Sequence, residues 1–299
     1  MNTPRAAYIL LLGGIFLSAR LAAGAPLTFP AATPISAGNV IFREQPSVNE
    51  YSQDKETDKA LNVLAYGATH DLAFFLEEYP IQYQQEKSLG VLRHSFGPSD
   101  TQSLARYTFW QKDGIGETQR WALIGGEILP TGSFNQSDRY GPLPRRIQPG
   151  TGNWAEKGGL AYIQQTLGRE VDFYANYVHY DPGGGYQFGD QYTLDGGYQR
   201  RLLPVPLPYE GIPLAELFTG VESNFYAYMN DAQAGAALPT TGLTLWQVDP
   251  LLRVVGYNWG LSLVGEIPIL QHNYGSEQPL KDSTLMLVYR QAFYTYHHW

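Results

Sequence analysis

The chain has 299 residues, of which 43% are hydrophobic and 16% charged, and its formal net charge is -8. This acidic balance, with no basic stripe along the chain, argues against a nucleic-acid partner. Cysteine is absent, which fits a protein that crosses an oxidising compartment.

The N-terminus has the pattern of a secretory signal. A short positive start precedes the apolar run Tyr8–Leu17, and small residues lie just before Ala25. The pattern predicts a signal peptide over residues 1–24, with Ala25 as the first mature residue. The alternative, an N-terminal anchor helix, needs about 20 apolar residues, and Ser18 and Arg20 interrupt this run.

The rest of the chain consists of segments rich in Val, Leu, Tyr, Phe and Trp, separated by Gly, Pro, Asn and Asp, which predicts strands. Most are about 11–15 residues long, whereas ordinary strands average about 5–6 residues and a strand that crosses a bilayer needs about 9–11. Twelve are predicted: Gly38–Gln45, Ala60–His70, Leu72–Gln84, Gln102–Lys112, Glu117–Leu129, Trp154–Leu167, Glu170–Tyr180, Asp190–Leu203, Leu214–Asn230, Leu243–Gly256, Gly260–Leu270 and Ser283–Tyr296.

The connections between these strands alternate between long and short. Polar loops are predicted at "PSVNEYSQDKETDK", "QEKSLGVLRHSFGPSDT" and "PTGSFNQSDRYGPLPRRIQPGTGN", whereas tight turns fall at His70-Asp71 and Gly168-Arg169. Long loops outside the cell and short turns in the periplasm are typical of outer-membrane barrels. The Pro-rich connection Leu203–Pro213 is too long for the short side, and its pattern predicts no role.

Within the strands, apolar and polar residues alternate, as in Leu217–Asp231, so each strand has two different faces. In a membrane barrel the apolar face meets lipid and the polar face lines the lumen. The predicted lumen-lining residues are Asp172, Tyr174, Asp195, Glu222, Tyr226, Asp249, Arg253, Glu266 and Arg290.

A soluble all-β sandwich shares the same alternation. Strand length, loop asymmetry and aromatic residues near strand ends (Trp154, Tyr180, Tyr257, Trp259, Tyr294 and Tyr296) favour the membrane. The final Trp299 resembles a C-terminal assembly signal. We therefore expect residues 25–299 to form an all-β, transmembrane, antiparallel up-and-down barrel of about twelve strands in a Gram-negative outer membrane. Its expected partners are outer-membrane lipid and the barrel-assembly machinery; the sequence predicts no oligomeric state.

No catalytic, cofactor or metal motif is present, so the sequence predicts neither an enzyme nor a cofactor. His297-His298 is better explained as a frayed terminus than as a metal site. An outer-membrane lipase remains as a minor alternative, because His179 is predicted near the outer end of a lipid-facing strand. A nucleophilic serine within reach is then required, and residues 153–204 contain none.

Four stretches carry a family resemblance: "NVLAYGATHDLAFFLEEYPIQ", "IGGEILPTGS", "PGTGNWAEKGGLAYIQQTLGREVDFYANYVHY" and "GDQYTLDGGYQRRLLP". They resemble a family of outer-membrane proteins described as transporters of the meta pathway of phenol degradation. The resemblance covers most of the mature chain and implies a barrel with a transport-like role. It implies no particular substrate and no binding residue.

The predicted function is therefore that of a channel or transporter for small solutes, including aromatic or hydrophobic ones. The alternative from another class is a structural or adhesive barrel without an open pore. Whether the lumen is open is the property that separates them.

Overall fold

A computed structural model describes residues 26–51, 55–88, 90–204, 215–274 and 280–293. The predicted signal peptide, most of the Leu203–Pro213 connection and the C-terminal residues from Tyr294 to Trp299 lie outside them. None of the described residues forms a helix long and apolar enough to cross a membrane.

Twelve long strands dominate the structure, with six short ones and one 3-10 turn in the connections. The strands are β1 (Val40–Tyr51), β2 (Lys55–Gly67), β3 (Leu72–Ser88), β4 (Val91–Gly97), β5 (Thr101–Gly114), β6 (Glu117–Leu129), β7 (Ser137–Asp138), β8 (Gly141–Pro142), β9 (Ala155–Thr166), β10 (Arg169–Tyr180), β11 (Tyr186–Gln187), β12 (Gln191–Leu203), β13 (Ala215–Tyr228), β14 (Ala232–Gln233), β15 (Ala236–Ala237), β16 (Leu243–Gly256), β17 (Trp259–Asn273) and β18 (Lys281–Phe293); the 3-10 turn is Arg145–Ile147.

The twelve long strands form one closed antiparallel sheet, in which each strand pairs with its neighbour in the sequence. The first and last strands close it, with β1 beside β18 from Val40↔Phe293 to Tyr51↔Lys281. β4 is an additional strand that pairs with the far half of β3. The predicted up-and-down barrel of about twelve strands is therefore confirmed.

The barrel wall has an apolar outer face and a polar inner face. On β13, Val221 and Phe225 are exposed on the outside, whereas Glu222 and Asn224 between them are fully buried inside. The same exposure of large apolar side chains recurs on every side, at Leu64, Phe74, Leu123, Leu194, Leu252, Leu263 and Leu285 among others. An apolar belt of this extent is incompatible with water and faces lipid.

The two ends of the barrel differ in their connections. At the short-turn end, the strands are joined by tight turns near residues 68–71, 115–116, 167–168 and 257–258. At the long-loop end lie the connections 130–154, 181–190 and 229–242. The predicted asymmetry is present, with both ends of the sheet, at Val40 and Phe293, at the short-turn end.

Two of the predicted polar loops are instead strand. β1 and β2 pair continuously up to Tyr51↔Lys55, so that "PSVNEYSQDKETDK" is largely a hairpin. β3 likewise continues to Ser88 and folds back into β4. The outward-facing residues of both segments are mixed, with Val48, Leu92 and Phe96 beside Glu50 and His94, which explains why the sequence pattern missed them.

The two faces of β13 predict different responses to substitution. Val221→Arg places a charge on the lipid face near mid-strand and should destabilise the barrel by about 2–4 kcal/mol. Glu222→Gln, one residue away on the inner face, should leave the barrel itself nearly as stable. Urea unfolding in lipid vesicles measures both variants, and equal losses at the two positions would contradict the assigned faces.

Candidate functional site in the barrel lumen

The lumen is occupied by residues 26–39, here called the inner segment, which precede β1. Its three largest apolar side chains are buried against different parts of the wall: Leu27, Phe29 and Ile35. Phe29 packs with residues of β6, β9 and β10, whereas Leu27 packs with residues of β16, β17 and β18. The inner segment therefore spans the lumen from one side of the barrel to the other.

Glu222 holds the start of the inner segment through its carboxylate. The backbone N–H groups of Leu27 and Thr28 donate to the two Glu222 oxygens at 2.8 and 2.9 Å. The Thr28 hydroxyl donates to the same carboxylate at 2.5 Å, and the Asn224 amide donates to that hydroxyl at 2.9 Å. A fully buried carboxylate thus provides the acceptors for two backbone N–H groups that have no strand partner to accept from them.

The other side of the lumen holds the segment by its carbonyl groups. Arg106 on β5 donates to the backbone oxygen of Ala31 at 2.9 Å. Near the short-turn end, the segment passes directly over Gly67, where an added Cβ would lie 2.3 Å from the Ser36 carbonyl oxygen. A glycine is needed there because any side chain would displace the inner segment.

Acidic side chains are concentrated on one side of the lumen, on β10, β12, β13 and β16. Asp172, Asp195 and Asp249 are buried there with Glu222, and Tyr174 lies beside them. Asp172 and Glu222 are both register partners of Gly197, one on each side, so their carboxyl groups approach across a residue without a side chain. Four predicted acids and Tyr174 are thereby brought together.

Arginines are concentrated on the opposite side. Arg43 and Arg290 are register partners on β1 and β18, and Arg106 comes from β5. Arg253 on β16 lies at the boundary with the acids, where its Nε donates to Ser262 at 3.2 Å. All four line a cavity of about 100 Å³ that lies between the inner segment and the wall.

A larger cavity of about 540 Å³ lies on the other side of the inner segment. Leu27, Thr28 and Phe29 form part of its surface. The rest of its lining is mixed and includes the predicted residues Tyr226 and Glu266. Its aromatic rings and lysines are those of Tyr51, Lys59, Tyr79, Lys157, Tyr186, Phe188, Tyr226, Tyr228 and Lys281. The Lys59 ammonium lies 4.9 Å from the centre of the Tyr79 ring, a cation–π contact.

The long connection 130–154 is fastened across the long-loop end. Arg146 forms a bidentate ion pair with the buried Glu86, and Ile147 beside it is fully buried. Asp100 accepts hydrogen bonds from the backbone of Gly132 and Thr151 at 2.9 and 2.7 Å. The connection is therefore an ordered cover that narrows the entrance to the larger cavity.

The lipase alternative gains no support from the geometry around His179. Its Nδ1 lies 2.8 Å from Asp190, and its register partner on β9 is Glu156. The prediction that Tyr180 belongs to an interfacial girdle is wrong. Its side chain faces inward and packs against Phe188, with the ring centres 5.7 Å apart. Among the described residues, no group of three acidic, His or Cys side chains is arranged to hold a metal.

The inner segment was missed by the sequence analysis. Its sequence, "PLTFPAATPIS", is apolar but has no alternation, because three prolines prevent a regular strand ladder. An apolar stretch that cannot pair as a strand still needs burial, and inside a barrel the lumen supplies it. That requirement was the available signal.

Comparisons with known proteins identify the fold. No protein-family model matches the chain, and no curated protein matches it. The solved COG4313 outer-membrane channel from Pseudomonas putida F1 is similar over 90% of this chain and 100% of its own, with a TM-score of 0.64 and 13% identity. The β-domain of the Bordetella autotransporter BrkA covers 86% of this chain and all of its own at 13% identity, with a TM-score of 0.43. The chain has the fold of an outer-membrane β-barrel.

The Glu222 carboxylate predicts how the inner segment is released. Glu222→Ala removes the acceptor of two buried backbone donors, each of which costs about 1–3 kcal/mol when left unsatisfied. Amide hydrogen exchange at Leu27 and Thr28 should therefore become at least tenfold faster. Asp195→Asn is the control, a buried acid of the same side of the lumen, and equal acceleration in both variants would contradict a specific role for Glu222.

The cover should loosen in acid. Hydrogen bonding from Arg93 is the main cause that lowers the pKa of Asp138, which lies in the connection 130–154. A lowered pKa stabilises the folded cover above the ordinary pKa of an aspartate, and the contribution is lost as pH falls through the lowered value. Protease cleavage within 130–154 should increase at low pH, and Asp138→Asn should already be cleaved faster at neutral pH.

Proposed function

We propose that this protein is an outer-membrane channel for small solutes that carry an aromatic or apolar group. The short-turn end lies in the periplasm and the long-loop end outside the cell, in the orientation of other barrels with this loop asymmetry. Its partners are the lipid of the outer membrane and the machinery that assembles barrels in it. It performs no chemistry on its solute.

The observation that carries the proposal is the cavity of about 540 Å³ at the long-loop end. Its volume lies within the range of about 300–1,000 Å³ that is typical of small-molecule sites. Tyrosine rings such as Tyr79, Tyr226 and Tyr228 supply apolar surface together with a hydroxyl, which suits a solute of mixed character. Lysines beside those rings add attraction for electron-rich groups.

The separation of charge within the lumen supports a selective path over a wide pore. Acids on β10 to β16 face arginines on β1, β5 and β18, and this arrangement creates a field across the lumen. Such a field orients a solute that has one polar and one apolar end. A purely apolar pore has no field of this kind and would leave the same solute unoriented. The inner segment between the two sides has to move before a solute passes.

A second function, a structural barrel without a pore, is favoured by the same inner segment. Glu222 and Arg106 hold its backbone from opposite sides, and its apolar side chains fill the space between. If this arrangement is permanent, the charges serve only to fix the segment. Conductance separates the two functions.

Purified protein in a planar bilayer should give a small ionic conductance that rises when the inner segment is released. We expect Glu222→Ala, or removal of residues 27–35, to increase the conductance several-fold, because the segment fills the lumen. Heat-modifiable gel migration confirms that each variant is still a barrel. The absence of conductance and of solute flux in all three proteins would leave the structural barrel as the function.

The aromatic cavity predicts block of that conductance by a small aromatic solute such as a phenol. Tyr228→Ala removes a ring from the cavity and should weaken the block at least threefold. Tyr107→Ala removes a ring from the lipid-exposed face and should leave the block unchanged. Identical block in both variants would show that the solute binds elsewhere.

A further inference from the structure

The backbone ladder between β17 and β18 ends early, which leaves an opening in the regular pairing of the barrel wall. The β17–β18 register runs from Trp259↔Gln291 to Glu266↔Thr284 and ends there, although β17 continues to Asn273 and β18 begins at Lys281. β17 remains paired to β16 on its other side up to Asn273, and β18 remains beside β1 up to Lys281. The separation is therefore confined to one seam, towards the long-loop end.

Local sequence explains why the ladder ends there. Pro268 follows two residues after the last pair and has no N–H to donate. The β16–β17 register shifts between Trp246 and Gln247, so β17 carries an extra residue. As a result Ile269 and Leu270 are both exposed in succession, where a regular strand would turn one of them inward.

Side chains close the seam above and behind the opening. Above it, the Gln271 amide donates to the Lys281 carbonyl oxygen at 2.6 Å and accepts from the Lys281 N–H at 2.7 Å. Behind it, on the lumen side, the Lys281 ammonium forms an ion pair with Glu266 at 2.5 Å and donates to Gln247 at 2.9 Å. The opening thus has defined limits on the same two strands.

A groove of about 380 Å³ lies on the outer side of this opening. Its lining combines the apolar residues Val48, Ile267 and Leu285, which are exposed on the outer face, with Glu50, Gly265, Glu266, Ser283 and Thr284. Glu266 lines both this groove and the cavity of about 540 Å³ inside the barrel. Glu266, whose carboxylate is paired with Lys281, is therefore the residue that the two spaces share.

We propose that this seam is a lateral window through which apolar solutes pass between the larger cavity and the outer leaflet of the membrane. The inference rests on the proposed channel function and specifies both a route and a solute class, uncharged apolar or aromatic molecules. Such molecules concentrate in lipid, and Val48, Ile267 and Leu285 give the groove an apolar side that they can contact. The ion pair of Glu266 with Lys281 closes the window from inside.

The location of the window relative to the cover strengthens the assignment. The connection 130–154 narrows the axial entrance and is fixed through Glu86, Arg93 and Asp100. The window opens below that entrance on the opposite strands, β17 and β18. A solute from the lipid therefore reaches the aromatic cavity without displacing the cover.

The chain contains no cysteine, which makes a cross-linking test direct. Ile267→Cys with Ser283→Cys, joined by oxidation or by a short bis-maleimide, ties the window shut. Leu263→Cys with Leu287→Cys is the matched control, a register pair on the outer face of the same strands below the window. Uptake of labelled naphthalene by a Gram-negative host that expresses each barrel is measured beside potassium conductance in a planar bilayer.

We expect the window cross-link to lower naphthalene uptake at least fivefold without changing conductance, and the control cross-link to change neither. Normal uptake with the window cross-linked would overturn the lateral route while leaving the channel intact. If the wild-type protein and the uncross-linked double variants all lack both uptake and conductance, the channel function is overturned, and the window with it.

A second pair of variants provides the same test without cross-linking. An added Cβ at Gly265, in the groove, and at Gly158, on the lipid face of β9, meets no atom within 4 Å. Gly265→Trp should therefore obstruct the groove and lower naphthalene uptake, whereas Gly158→Trp should not. Equal uptake by these two variants, both migrating as folded barrels, would overturn the proposal.

Discussion

The structure depends on one constraint: a backbone N–H or C=O group inside a bilayer has no water to bond and needs a partner in the protein. Antiparallel pairing of neighbouring strands meets this need along most of the sheet, and the β1–β18 pairing removes the edges that the first and last strands would leave. Closure then turns the polar face of most strands inward. Twelve strands leave a lumen wider than side chains alone fill, so the inside of this barrel needs additional contents.

The inner segment supplies those contents, and the same constraint decides how it is held. Its last residues, Gly38 and Asn39, form backbone hydrogen bonds with a strand, at Gly67 of β2. Nearer its start, the backbone groups bond to side chains of the wall. Donors at Leu27 and Thr28 meet the Glu222 carboxylate, and the Ala31 acceptor meets the Arg106 guanidinium. The separation of acids from arginines therefore also serves the structure. The acids provide hydrogen-bond acceptors to one part of the inner segment, and the arginines provide donors to another part. The apolar side chains between them exclude water and strengthen both contacts.

Sequence reasoning succeeded where one face of a strand meets lipid. β6 and β16 begin and end at the predicted residues, because apolar alternation stops where the membrane stops. It failed at the far ends of β1, β2 and β3, because apolar and polar residues are mixed on their outward-facing sides. Side chains alternate between the two faces of a strand, and this alternation predicts which residues face the lumen. The nine predicted side chains do lie inside, and their part in transport remains a prediction. The Glu222 contact with Leu27 joins residues 195 positions apart and has no local signature.

Departures from the regular ladder are informative in a barrel because regular pairing is so strongly required. Most of the seams are paired along their lengths, so a break in one needs local compensation. At the β17–β18 seam, Gln271 replaces a backbone pair with a side-chain amide that both donates to and accepts from Lys281. Such a contact satisfies the backbone N–H and C=O of one residue, while the adjoining residues form no ladder pairs. A side-chain hydrogen bond also breaks and re-forms more readily than a backbone ladder does. If the wall opens anywhere, the β17–β18 seam is the favoured place, because Glu266 there lines both the aromatic cavity and the outer groove.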